Sequence, residues 1–305
     1  MATDEQLPIK INIKADTKDA TKVIEKLIDT IKAPFSWWAK TREPVTEAKA
    51  QVDAALIRAK AITPLAEALG ITKEDAISLV LRSEQRAGFE QIRQQKNIES
   101  IVDGAIELLP FSVSPRPVDE DWTTDFIDSC KNISSKEMQT LWARILAGEV
   151  TEPGSFSKRT IAFVKTLSVS EAHLFTRFCS FLWYDPKAMI YAYIRTEDDN
   201  LLKDCGINFI DLMELDALGL IVYHDTTQYT VDAPNEVAEF NYFGETYYFY
   251  PKIREGSVSF SALALTKLGA SLVGISGATP RDDYKNAAIE AISQNNIFLD
   301  QRPPK

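Results

Sequence analysis

The sequence predicts a mainly α protein: an N-terminal helical region and a central helical bundle, followed by a C-terminal α+β winged-helix-like module. Three observations carry that expectation. From Thr17 to about Trp183, apolar residues recur at three- and four-residue spacing, as in helices that bury one face. Beyond about Tyr184 the chain fills with tyrosines and other β-formers. Pro110, Pro115 and Pro117, with Ser112 and Ser114, form a linker between two helical sets. The expected organisation is a flexible or edge segment over 1–16, an N-terminal helical region over 17–110 and a central helical domain over 118–184. The α+β module covers 185–280, and a terminal helix and tail cover 281–305.

Each element has its own signal. Ile9, Ile11 and Ile13 alternate with Lys10, Asn12 and Lys14, as in a short edge strand. From Thr17, residues Ala20, Val23, Ile24, Leu27, Ile28 and Ile31 share one helix face, opposite Lys18, Lys22, Glu25, Lys26, Asp29 and Lys32. Pro34 ends that helix, and Phe35, Trp37 and Trp38 follow. An alanine-rich helix is expected from about Thr46 to Ile62, and Pro64 and Gly70 punctuate the next turn. Thr72 with Asp75 resembles a capping box for a helix, or two abutting helices, running from Lys73 to Leu109. The middle of that stretch, Ser83 to Lys96, is polar on most faces, which predicts a partner helix from this chain or from a second copy.

After the linker, Asp121 is expected to begin a helix holding Trp122, Phe126 and Ile127. Ser134 and Glu137 box the next, with Met138, Leu141, Trp142, Ile145 and Leu146 on its face. Glu152-Pro153-Gly154 closes it. Ser155 caps a helix with Ile161, Val164 and Leu167, and Ser170 caps another that extends to Trp183. A strand over 189–194, a helix from Phe209 to Leu218, strands in LIVYHDTTQYTV, the helix LTKLGASLV and a last helix over 281–298 complete the reading.

Composition narrows the chemistry. The chain of 305 residues is 45% hydrophobic and carries 34 basic against 44 acidic residues, a net charge of -10. That excess of acid makes nucleic acid an unfavoured partner. His173 and His224, with Cys130, Cys179 and Cys205, lack the paired spacing of a zinc site, so no metal or cofactor is expected. MATDEQLPIK lacks a secretory n- and h-region, and no apolar run is long enough to span a bilayer, which predicts a cytoplasmic protein with reduced, buried thiols.

Four patterns that suggest catalysis or ion binding have simpler explanations. Ser155 and Lys158 fit S-x-x-K without its S-D-N and K-T-G partners, so an N-cap serine accounts for them. Gly269, Gly274 and Gly277 lack the ending of a phosphate loop. Asp119, Glu120, Asp121, Asp125 and Asp128 offer oxygens suited to a hard cation, but not at EF-hand spacing, and acids at a helix start favour its dipole. His173 and His224 have no nucleophile at recognisable spacing, so no enzyme is expected.

The segment from Lys10 to Arg42 carries a net +4 inside this acidic chain. A basic amphipathic helix closed by aromatic residues has the make-up of an interfacial membrane helix. Val23, Ile24, Leu27, Ile28, Ile31, Phe35, Trp37 and Trp38 would enter the interface or an assembly, while Lys22 and Lys26 meet anionic headgroups. The competing reading packs the same stripe against the alanine-rich helix behind it.

VDEDW (Val118–Trp122), MQTLWARILAGE (Met138–Glu149) and PGSFSKRTI (Pro153–Ile161) together resemble a bacterial family of proteins of unknown function. That family is similar in pattern to the alpha class of abortive-infection proteins. The resemblance implies a bacterial cytoplasmic protein of anti-phage defence and brings no catalytic residues, with Trp122, Trp142 and Arg144 structural. Combined with the charged N-terminal helix, it leads to the expectation of a non-enzymatic effector. A phage protein would be the trigger, copies would form a homo-oligomer, and the helix would permeabilise the anionic inner membrane. The alternative is a soluble adaptor binding a protein or nucleic acid through the winged-helix-like module.

Overall fold

Where helices and strands form is settled locally by caps, glycines and apolar periodicity. The computed structural model describes residues 18–32, 60–195, 200–204, 206–223, 228–233, 237–253 and 255–301. The expected edge strand and most of the alanine-rich helix lie outside them. The chain divides into two compact units, Met1–Lys165 and Thr166–Lys305.

The first unit is helical: α1 (Lys18–Lys32), α2 (60–69), α3 (Lys73–Leu108), α4 (Glu120–Cys130), α5 (Lys136–Thr151) and α6 (Lys158–Thr166). Gly70 ends α2 in the left-handed region at φ 65°, and the Ile71 amide donates back to the Ala66 carbonyl. Thr72 caps α3 by accepting from the Asp75 amide at 3.1 Å, and α3 then runs unbroken for 36 residues. Its packing is concentrated in the second half, with Ala76 also buried in the first turn. Asn97, Ile98, Ile101, Val102 and Ala105 are buried, and α3 lies along α5. Gly104 permits the close approach, since a Cβ there would sit 3.1 Å from that of Ala143.

A buried polar network registers these helices. The Gln139 side-chain amide donates to Asn97 Oδ1 at 3.2 Å and to the Ile133 carbonyl at 2.9 Å. Asn97 in turn donates to the Lys131 carbonyl at 3.0 Å. Both amides thereby find partners, which is the condition for burying them. The aromatic core beside them stacks Trp122 on Phe126 and sets Phe126 edge-on to Trp142.

Several caps differ from expectation by one or two residues. α4 starts at Glu120, with Asp119 as its cap. Ser135, not Ser134, caps α5. Ser157, not Ser155, accepts from the Thr160 amide at the start of α6, and Ser155 closes the turn by donating to the Glu152 carbonyl. Ser168, not Ser170, forms a full capping box with Glu171 at the next helix. Neighbouring serines satisfy the same pattern, and only the backbone angle at each decides which one caps.

The second unit is the α+β module. It contains α7 (Val169–Cys179), β1 (Leu182–Asp185), β2 (Ile190–Ile194), α8 (Asn200–Asp204) and α9 (Phe209–Ala217). β3 (Gln228–Ala233), β4 (Ala238–Tyr242), β5 (Glu245–Pro251), β6 (Gly256–Ala264), α10 (Lys267–Ser276), α11 (Asp282–Gln294) and β7 (Ile297–Asp300) follow. Trp183, expected in a helix, lies in β1, and the last helix stops at Gln294 so that 297–300 forms a strand. The sheet is antiparallel with strand order β3-β6-β2-β1-β4-β5-β7. The short hairpin expected between α9 and α10 is not formed: β3 pairs with β6 across the intervening β4–β5 hairpin, and the strands join one seven-stranded sheet.

Tyrosine hydroxyls tie this sheet to the helices beside it. Tyr284 is fully buried, and its hydroxyl accepts from the Ile194 amide and donates to the Ile194 carbonyl, each at 3.0 Å. Tyr242 donates to the Ser180 carbonyl at 2.7 Å and accepts from the Arg281 amide at 2.8 Å. The LTKLG motif has a steric reason. Thr266 caps α10 and donates to the Gly219 carbonyl at 2.6 Å, which presses Gly269 against the backbone of Leu220. A Cβ on Gly269 would lie 2.1 Å from the Leu220 carbonyl oxygen, whereas one on Gly274 would meet nothing.

Gly269→Ala is therefore expected to destabilise the protein by about 3 kcal/mol, the upper end of overpacking costs. Gly274→Ala, in the same helix, should stabilise it by about 0.8–1 kcal/mol through helix propensity. Urea denaturation of both variants checks the contrast.

Candidate functional site: helix α1 and the groove beside it

The segment singled out by its charge is a helix over Lys18–Lys32. Its apolar stripe turns inward. Val23, Ile24, Leu27 and Ile31 are buried, Leu27 completely, and Ile28 is half-buried at the edge. The face packs on α4 and α5, in the same unit. The Lys22 side chain and residues Phe35, Trp37 and Trp38 lie outside the described residues.

Lys26 gives the packed helix a long-range polar anchor, the only one among the described residues. Its ammonium donates to the Ser114 carbonyl at 2.5 Å and to the Val150 carbonyl at 2.8 Å. Val150 belongs to the last turn of α5, where carbonyls have no helical partner and a cation is favoured by the dipole. Burial lowers the Lys26 pKa from its ordinary value, opposed by the nearby Glu152 and reinforced by Arg116. Thr30, also buried, donates back to the Lys26 carbonyl at 2.9 Å. Alongside runs an open groove of about 610 Å³ between α1 and the proline-rich 111–118 segment, which includes the highly exposed Phe111. Glu25, Asp29 and Lys26 give the groove mixed charge.

The motifs that carried the family resemblance lock the end of α5 to the turn that follows it. Glu149 is buried, and its carboxylate accepts from the Gly154 amide at 2.6 Å and the Phe156 amide at 2.9 Å. Gly148 makes room for the Phe156 ring, which would lie 2.7 Å from a Cβ there. Trp122 donates its indole N–H to the Phe156 carbonyl at 2.7 Å. LAGE and PGSF thus form one interlocked turn, with Trp122 and Trp142 in the core as expected. Glu149 was visible in the motif, but nothing in the sequence marked it as buried.

The other candidates are dispersed. Lys158 pairs on the surface with Asp125 at 3.1 Å and Asp121 at 4.0 Å. Asp119 caps α4 through the Trp122 amide. Burial pushes the Cys130 and Cys179 thiols up to about 12, which keeps them protonated at neutral pH. His173 is exposed on α7, and His224 and Cys205 lie outside the described residues. Among the described residues, no group of three or more His, Cys, Asp or Glu side chains is placed to hold a metal ion.

Two outcomes follow from this geometry. Lys26→Met should remove two charge-assisted bonds, worth about 1.5–3 kcal/mol each at most, and so loosen α1 while α3–α5 stay folded. Hydrogen exchange should speed up in α1 and remain slow at the buried half of α3. Glu149 predicts a pH effect: burial raises its pKa from 4.5 despite the amide bonds that lower it. Unfolded, this carboxyl loses its proton near 4.5; folded, it retains it to higher pH, so the native state binds more protons in that window. Its contribution to stability therefore falls as pH rises from 4.5 through the folded pKa. Urea midpoints measured across that range should show the decline, and Glu149→Gln should flatten it.

Comparison with curated proteins and with solved structures yields no match. Residues 81–289, about two thirds of the chain and parts of both units, match the family described as "Protein of unknown function (DUF2806)". The chain belongs to that family.

Proposed function

We propose that this protein is a non-enzymatic effector of bacterial anti-phage defence, of abortive-infection type, whose helix α1 is stored on the helical unit and released to the inner membrane. A phage component acts as the trigger, copies associate through the helical unit, and α1 permeabilises the anionic bilayer surface. One observation carries this reading: a basic amphipathic helix with Val23, Ile24, Leu27 and Ile31 of its apolar face buried, pinned at long range, among the described residues, by one lysine.

The energetics are compatible with a stored state. Burying Val23, Ile24, Leu27 and Ile31 holds α1 down by about 1.5–3 kcal/mol per side chain. A bilayer interface offers the same four side chains a second apolar environment, so most of that term is exchanged, not lost. Freeing Lys26 breaks its two carbonyl bonds, and anionic headgroups return about 1 kcal/mol per lysine. What the trigger must supply is the remainder, on the order of a few kcal/mol, through tighter binding to the released form. Among the described residues no helix is long and apolar enough to cross a membrane, so α1 acts at the interface or in an assembly.

The test is dye release from anionic liposomes by the purified full chain, with and without lysate of phage-infected cells. Release is expected only with infected lysate. Lys26→Met, which loosens the store and leaves the apolar face intact, should leak with less lysate or none. Leu27→Asp, which spoils the face for both environments, should not leak at all. Absence of release in every condition, or equal release by Leu27→Asp, overturns the proposal and leaves the adaptor reading.

A further inference from the structure

Beyond the buried Ala76 of its first turn, the first half of α3 carries an apolar stripe that no described residue of its own protomer covers. Ile77, Leu81, Phe89 and Ile92 are all exposed, from 46% to 75%. At ~3.6 residues per turn, Ile77, Leu81, Gly88 and Ile92 fall within about 60° of one another. They make a narrow stripe on a face different from the buried one formed by Ile98, Ile101, Val102 and Ala105.

Two features of the stripe specify what covers it. The first is Gly88, in the middle of a 36-residue helix at a position where a Cβ would meet nothing within 4 Å. Glycine is disfavoured in a helix interior relative to alanine, and no contact among the described residues explains it here. The second is symmetry. The stripe is a palindrome about a point between Glu84 and Gln85: Ile77 and Ile92 are equidistant from it, as are Leu81 and Gly88. A two-fold axis through that point sets Leu81 of one copy over Gly88 of the other and Ile77 against Ile92. On one flank of the stripe the same operation brings Glu74 to within one residue of the level of Lys96 of the opposite copy, twice, and both residues are exposed. Charge complementarity and a socket for the leucine thus select an antiparallel second copy. The pairable stretch, 73–96, is about 36 Å long, the length of a substantial two-helix seam.

We infer that the protein forms a two-fold dimer through antiparallel pairing of residues 73–96 of α3, with Leu81 of each copy seated on Gly88 of the other. The inference rests on the self-association within the proposed function and not on its membrane step, so the two fail separately. Sedimentation of the full chain is expected to show a dimer. Leu81→Glu with Ile92→Glu, both at exposed positions, should give a folded monomer with an unchanged helical circular-dichroism spectrum. Glu74→Lys should shift the dimer toward monomer at low salt, and adding Lys96→Glu should restore it.

Orientation is read by cross-linking. Leu81→Cys combined with Gly88→Cys should oxidise to a covalent dimer, because the two sites within one helix, about 10 Å apart along the axis, cannot bridge each other. Leu81→Cys alone should not cross-link. A wild-type monomer at every concentration overturns the inference. A dimer unaffected by Leu81→Glu/Ile92→Glu also overturns it, as does cross-linking by Leu81→Cys alone, which reports parallel pairing. Vesicle leakage without a dimer would sink the pairing and spare the membrane step; a dimer without leakage would do the reverse.

Discussion

A helix that ends inside a protein leaves its last carbonyls in need of donors, and the end of α5 is where the helical unit meets that need. Four donors from three pieces of chain converge there. Lys26 of α1 donates to the Val150 carbonyl, and the Ser114 amide of the proline-rich segment donates to Thr151. The Glu152 amide donates to Gly148, and the Thr151 hydroxyl turns back to Ala147. One residue along, Glu149 uses its buried carboxylate to collect two amides of the next turn. α1, the linker and the α5–α6 turn are thus held by a single helix terminus. Removing any one donor leaves a carbonyl competing for the others.

The second unit solves the same problem with different groups. Its sheet is tied to flanking segments by tyrosine hydroxyls, each able to donate and accept at once. Tyr284 completes both backbone groups of Ile194, and Tyr242 bridges Ser180 and Arg281. The aromatic rings meanwhile fill the core, with Trp183 packed against Tyr242, Tyr247 and Phe249. Large rings with one polar tip suit this position because they bury area and still satisfy a backbone group.

For the proposed function, the important property of α1 is that storage and membrane binding would draw on the same surface. An amphipathic stripe cannot distinguish a protein groove from a lipid interface, since both are apolar media bordered by polar groups. The polar anchor is what differs. In the helical unit Lys26 binds two fixed carbonyls, an arrangement a fluid bilayer does not reproduce. The proposed dimer face lies on another element, the first half of α3, so self-association and release of α1 compete for no residue described here.

The sequence by itself determined the order of the elements, because helix periodicity, N-capping residues and turn glycines act over a few residues. The long helix capped by Thr72, the 209–217 helix ending before Gly219 and the α-then-α+β arrangement were all legible in this way. It also exposed the stripe from Val23 to Ile31 and the charge contrast around it. Which member of each of the three neighbouring serine pairs supplied a cap was not legible, since both members of each pair have the same chemistry and only the backbone angle separates them. Nor could periodicity assign a partner to α1: the stripe lies on α4 and α5 because their apolar surface and the open carbonyls of α5 occur together there. The burial of Glu149 and the need for glycine at 148 and 269 came only from the tertiary structure. Each depends on chain segments that approach to within a few ångströms, a distance that no local pattern encodes.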